Sequence, residues 1–124
     1  MTDMDVNGRT AEMRLLVCGG RDFDNRAGLF RLLDGIAARN NVKAIIQGDA
    51  PGADSIAKQW AVLNNVPLDS YPADWSIGPS AGPIRNRCML EQGKPTHCLA
   101  MPGGRGTANM VSQAKAAGVK MWIF

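Results

Sequence analysis

Aromatic residues, histidine and long apolar runs are all scarce in this 124-residue chain. Aromatics make up 6%, and most of them, such as Phe30, Trp60, Trp122 and Phe124, lie in apolar periodic segments. That argues against a stacking groove for single-stranded nucleic acid, which needs aromatics on a basic surface. The one histidine, His97, is followed by Cys98, but neighbours on a strand face opposite ways, so a shared metal is not expected. No run approaches the roughly 18 apolar residues of a membrane helix, and the start lacks the basic-then-apolar layout of a secretion signal. The three cysteines, Cys18, Cys88 and Cys98, are an odd, scattered set, read as reduced thiols of a cytoplasmic protein rather than a disulfide framework. Neither metal nor cofactor is expected. Charge is only mildly unbalanced, 14 basic against 11 acidic residues for a net +3. This permits an anionic ligand without requiring one.

What is present is an alternation of short apolar runs and helical periodicity. Residues 1–12 have little to bury and read as a flexible arm before a single domain over 13–124. "RLLVC" (14–18), "KAIIQ" (43–47), "THCLAM" (96–101) and "KMWIF" (120–124) read as strands, with a weaker one at 67–73. Helices are expected over 27–38, with Leu29, Phe30, Leu33, Ile36 and Ala37 inward, and over 53–64, with Ile56, Ala57, Trp60 and Ala61 inward. Two more are expected over 83–93, with proline near the start, and 107–118. Five strands alternating with four helices predict an α/β, Rossmann-like three-layer domain on a mainly parallel sheet. The long piece 71–83, rich in proline and glycine, reads as a functional loop.

Glycine recurs at three strand-to-helix junctions: "CGGRDF" (18–23), "GDAPGAD" (48–54) and "PGGRGT" (102–107). In a parallel sheet these loops share one edge, where ligands bind. Any one cluster is explained by a tight turn. Three on one edge point to an anion, because glycine admits close backbone approach and helix N-termini present free N–H groups. Gly19, Gly20, Arg21, Asp22, Gly48 and Asp49 are candidates for this ligand, as are Pro102, Gly103, Gly104, Arg105 and Gly106. Thr107 is read as the cap of the last helix and a phosphate donor. Arg85 and Arg87, in the first turn or so of their helix, answer an anion or are simply solvated. Asn86 reads a base or ribose edge, or caps. Asp54 binds ribose or caps its helix, and Trp75 stacks on a base or anchors its loop.

"PGGRGT" with a following helix, and "RNRCM" upstream, resemble motifs of the lonely-guy (LOG) phosphoribohydrolases. The closer similarity runs from Leu15 to Phe124, through "VCGGRDF", "GDAPGAD", "ADW", "AGPIRNRCM" and "PGGRGTANMV". It is to the small YspA/YpsA-related branch of the SLOG superfamily. The resemblance implies a Rossmann-like fold binding nucleotides or nucleotide-derived molecules, with relatives that include base-cleaving enzymes, proposed sensors of NAD-derived signals and the DNA-processing protein DprA. It also implies dimers or tetramers, a reading the apolar "MWIF" shares. LOG-type enzymes use an arginine, matching Arg85, and a glutamate, whose position here is Met110. Methionine exchanges no proton, and on helical spacing Met110 groups with Ala114 and Ala117 as packing. The reading is therefore a binding or sensing module. A base-cleaving enzyme with Asp22, Asp49 or Asp54 as substitute, and single-strand binding, are its alternatives.

Overall fold

The structure, a computed structural model, describes residues 10–124. The expected arm lies outside the described residues up to position 9, and its last three residues already belong to the first strand. Strands β1 (Thr10–Cys18), β2 (Asn40–Gln47), β3 (Leu68–Ser70), β4 (His97–Ala100) and β5 (Lys120–Ile123) alternate with helices α1 (Arg26–Arg39), α2 (Ala53–Leu63), α3 (Ala81–Glu91) and α4 (Arg105–Ala116). All five strands run parallel, in the order β3-β2-β1-β4-β5.

β1 sits at the centre, and its side chains divide by parity between two cores. Met13, Leu15 and Val17 join Leu29, Leu33, Ile45 and Trp60, under α1 and α2. Leu16 and Cys18 join Ile46, Cys98, Met110 and Ala114, under α3 and α4. Strands apolar on both faces can exist only between two helical layers, which makes the three-layer architecture legible from composition. Trp60, the largest fully buried side chain, donates its indole N–H to Asp34 Oδ1 at 2.8 Å. The chain order reverses between β1 and β4. Loops leaving strands on either side of such a reversal turn in opposite directions, and ligands of open parallel sheets bind outside the carboxyl ends there.

Two helices start earlier than sequence spacing suggests. α3 begins at Ala81, so Pro83 lies inside the first turn, where a missing N–H removes no intrahelical bond. Arg85 and Arg87 consequently occupy the second turn. α4 begins at Arg105 with Gly104 as N-cap, so Thr107 is not the cap. Of the expected Met110–Ala114–Ala117 stripe, the first two are buried, whereas Ala117 terminates the helix in solvent.

Candidate functional site: three loops tied at Gly20

The residue after Gly19 holds the three glycine junctions together. Gly20 donates its N–H to Pro102 O of the β4–α4 loop at 2.8 Å. Its own carbonyl accepts from Ala53 N, the first residue of α2, and from Phe23 N, each at 3.2 Å. This contact is tight enough to dictate residue type. Gly52 stands at φ 81 with Gly20 O against the position a Cβ would fill. A Cβ on Gly103 would meet the Thr107 hydroxyl and lie 2.6 Å from Gly20 N. Gly19, Gly20, Gly52, Pro102 and Gly103 thus form one continuous backbone surface at the crevice.

Arg85 is brought to this edge by α3. Its Nη1 donates to Gly48 O at 2.6 Å and its Nε to Asn86 Oδ1 at 2.9 Å. Burial lowers its pKa, Asp54 opposes that shift, and the like charge of Arg21 adds to it. Asp54 lies beneath the same loop. Its Oδ2 accepts from Gly48 N at 3.1 Å and Ala50 N at 3.4 Å. Burial outweighs those two bonds and the Arg85 charge, and pushes the Asp54 carboxyl up to about 6. Below them, Cys18 and Cys98 meet at 4.0 Å between sulfurs, and this contact together with burial pushes the Cys18 thiol far up.

Several expected roles change once the side chains are placed. Asp54 neither caps α2, whose N-cap is Gly52, nor faces outward to a ribose, because its carboxylate braces the preceding loop. Asn86 is buried: its Nδ2 donates to Gly106 O at 3.3 Å and to Asn109 Oδ1 at 3.1 Å, clamping α3 to the first turns of α4. Arg87 points away from the edge, 72% exposed and paired with Glu91 at 2.8 Å, since two residues along a helix reverse the face. Trp75 opens a 3₁₀ turn and is 54% exposed, with its ring edge 3.2 Å from where a Cβ of Gly82 would be, so it lies over the first turn of α3. Asp49, at φ 57, pairs with Lys58 at 3.7 Å. Arg21 and Asp22 are exposed on the β1–α1 loop, and Arg105 is exposed at the head of α4.

Two residues escaped the sequence reading. Gln47 is fully buried, donating to Asp54 O at 3.3 Å and accepting from Asp49 N at 2.7 Å, so it fixes the shape of the second junction. A lone amide closing the apolar run "KAIIQ" was the available signal. Asn109 receives both Asn86 and Gln113, the latter at 2.7 Å. Its spacing of four from Gln113 was visible, its partner on α3 was not.

A hollow of about 530 Å³ adjoins the third junction. It runs from Pro102–Gly104 along Thr107 and Val111 to Phe124, and does not reach Arg85, Gly20 or Gly48. The tied loops and this hollow therefore share only the β4–α4 turn. Met110 faces the sheet among Leu16, Cys98 and Ala114, so no carboxylate occupies that position.

An all-parallel sheet ordered 3-2-1-4-5, with glycine junctions meeting at its reversal point, defines a Rossmann-like domain. The chain belongs to the YspA, cpYpsA-related SLOG family, whose model matches residues 13–78, from β1 through the turn holding Trp75. It is similar to the Gene 61 protein of Mycobacterium phage D29, with 34% identity over 120 residues, covering 90% of this chain and 95% of that protein. No solved structure matches it. Among the described residues, no helix is long and apolar enough to cross a membrane.

Proposed function

We propose that the protein is a binding or sensing module for a nucleotide or NAD-derived molecule, with the phosphate held at the tied loops. One observation carries this reading: three chain segments converge on Gly20, and the half-buried guanidinium of Arg85 is fixed at the same edge by its bond to Gly48 O. A cation held beside glycine-rich helix N-termini attracts an anion. The free N–H groups at the start of α4, whose N-cap Gly104 offers no side chain, add to the attraction. Pro102 to Thr107 would take the phosphate together with Arg85, and the β1 and β2 junctions the ribose or base. Arg87 leaves the set. Unjoined thiols at Cys18, Cys88 and Cys98 suit a cytoplasmic setting. Calorimetry against AMP, ADP-ribose, cyclic ADP-ribose, NAD and inorganic phosphate tests the proposal. Binding by at least one nucleotide, lost in Arg85→Ala and kept in Arg87→Ala, is the expected result. Absence of binding at millimolar concentration overturns it.

A second reading, cleavage of a base from a nucleoside monophosphate, draws support from Asp54 alone. Burial pushes its carboxyl up to about 6, where a proton can be held or released near neutrality, and to reach a substrate it would have to leave Gly48 N and Ala50 N. Release of free base from a panel of monophosphates, abolished by Asp54→Asn, is its test.

A further inference from the structure

β5 closes the sheet, and its outer edge has no strand beside it among the described residues. Lys120 and Phe124 donate their N–H groups inward, to Thr96 O at 3.3 Å and Ala100 O at 2.9 Å. By the alternation of a strand, the N–H and C=O groups of Met121 and Ile123 point outward. Edge strands are ordinarily blunted by shortness, lysine, proline, a bulge or inward charge. β5 is short and opens on the exposed Lys120, but it carries no proline and ends on apolar residues, with Ile123 51% and Phe124 59% exposed.

Both faces flanking this edge are hollow. On the α4 side lies the 530 Å³ hollow that reaches Ile123 and Phe124. On the opposite side a second one, about 350 Å³, runs between α1 and β5, with Leu32, Ile36, Leu99 and Trp122 in its walls. Trp122 is partly buried at the margin of the core under α1 and α2, and the ring of His97 stacks on it, with centroids 5.2 Å apart. The charges around the edge are of one sign. Arg31 and Arg39 border the second hollow and Lys115 the first, while Lys120 starts the strand. Neither hollow is lined by an Asp or Glu side chain, and none of these four cations has an ion pair among the described residues.

We propose that the outer edge of β5 docks an extended segment of another protein, apolar in alternation and flanked by acidic residues, which adds a sixth strand to the sheet. Main-chain bonds to Met121 and Ile123 supply the ladder, and the two hollows receive side chains of opposite parity. The four unpaired cations select acidic flanks and repel a second copy of this chain, which would bring the same positive rim to the contact.

The probe is a fluorescent peptide, EEVTVIVEE, compared with KKVTVIVKK and with EEVPVPVEE, whose prolines cannot complete a ladder. The expected result is that the first binds at least about tenfold more tightly than either other, and several-fold more weakly when salt rises from about 50 to about 300 mM. Hydrogen exchange should slow at the Met121 and Ile123 amides in the complex. Ile123→Pro deletes an outward donor while leaving the inward ladder to β4, and should abolish binding. Should that variant fail to fold, the surface changes Arg39→Glu and Lys120→Glu carry the test, each expected to weaken binding about tenfold. Equal binding of the lysine-flanked peptide, or no binding of the acidic one at millimolar concentration, overturns the proposal. So does salt-sensitive capture of oligothymidylate that depends on Arg39, or sedimentation showing self-association that Ile123→Pro removes. Both proposals use the Pro102–Thr107 turn, but the variants that test them are separate, Arg85 and Arg87 for the nucleotide and Arg39, Lys120 and Ile123 for the peptide, so either proposal can fail alone.

Discussion

Arg85 spans from α3 to the loop that leaves β2, its Nη1 2.6 Å from the carbonyl oxygen of Gly48. Only part of its donor capacity is used by Gly48 and Asn86, and a guanidinium carries five N–H donors in a planar fork. The two internal bonds fix the plane of the guanidinium, and the proposed phosphate would use the donors they leave.

Replacing this side chain should separate its role from that of its neighbour. Arg85→Ala removes a charge-assisted bond and should weaken nucleotide binding by about ten- to a hundredfold, from the ~1.5–3 kcal/mol such bonds contribute. Arg87→Ala removes only an exposed pair four residues apart, and should leave both affinity and melting temperature nearly unchanged. Titration calorimetry and thermal unfolding of the two variants decide the matter.

Glycine is required at some positions and a weakness at others. Gly52→Ala forces a Cβ toward Gly20 O at φ 81, and should destabilise the fold by about 1–3 kcal/mol while spreading the loops. Gly35→Ala, within α1 and with nothing within 4 Å of the new Cβ, should stabilise by about 0.5–1 kcal/mol. Urea denaturation curves of both proteins read the opposite signs directly.

Asp54 predicts an unusual pH dependence. Its folded pKa of about 6 exceeds the ordinary 3.8, so the native state keeps a proton that the unfolded chain has released. The stability this confers is complete below about 3.8 and lost as pH rises through about 6. Asp54→Asn retains an oxygen to accept from Gly48 N and Ala50 N and has no charge to desolvate. Its stability relative to the natural protein should therefore grow between pH 4 and 7, by on the order of 3 kcal/mol at most. A variant that tracks the parent at every pH would refute the burial argument.

Met110 is the place to test whether a lost glutamate can be restored. Met110→Glu would bury a carboxylate among Leu16, Cys98 and Ala114, and should destabilise by several kcal/mol without producing base release. Met110→Leu preserves volume and should cost under about 1.5 kcal/mol. Circular dichroism melts, paired with an assay for free adenine from AMP, check both halves.

The layering was legible because strands buried on two sides must be apolar throughout, as "RLLVC" and "KAIIQ" are. On α2, the inward set Ile56, Ala57, Trp60 and Ala61 is buried as its spacing required. Helix starts were harder. Pro83 and Thr107 carry the usual marks of a beginning, yet Ala81–Gly82 and Arg105–Gly106 are already helical, the first after Ser80, whose side chain makes no capping bond, and the second after Gly104, which has none to offer. Site roles were least legible where one side chain could serve two masters. Whether Asp54 caps its own helix or braces the loop before it depends on how the junctions fold back, and whether Arg85 or Arg87 faces the crevice depends on which side of α3 meets the sheet. Phe124 and Ile123 look like core in the sequence. Only the strand order exposes them.

With the N–H and the C=O of Gly20 both engaged across chain boundaries, none of the three junctions can swing out without breaking a bond to another. The surface these junctions share is thus held in shape by the chain itself. The nucleotide association proposed above should therefore proceed in one kinetic phase, its rate linear in ligand concentration and set by encounter rather than by rearrangement.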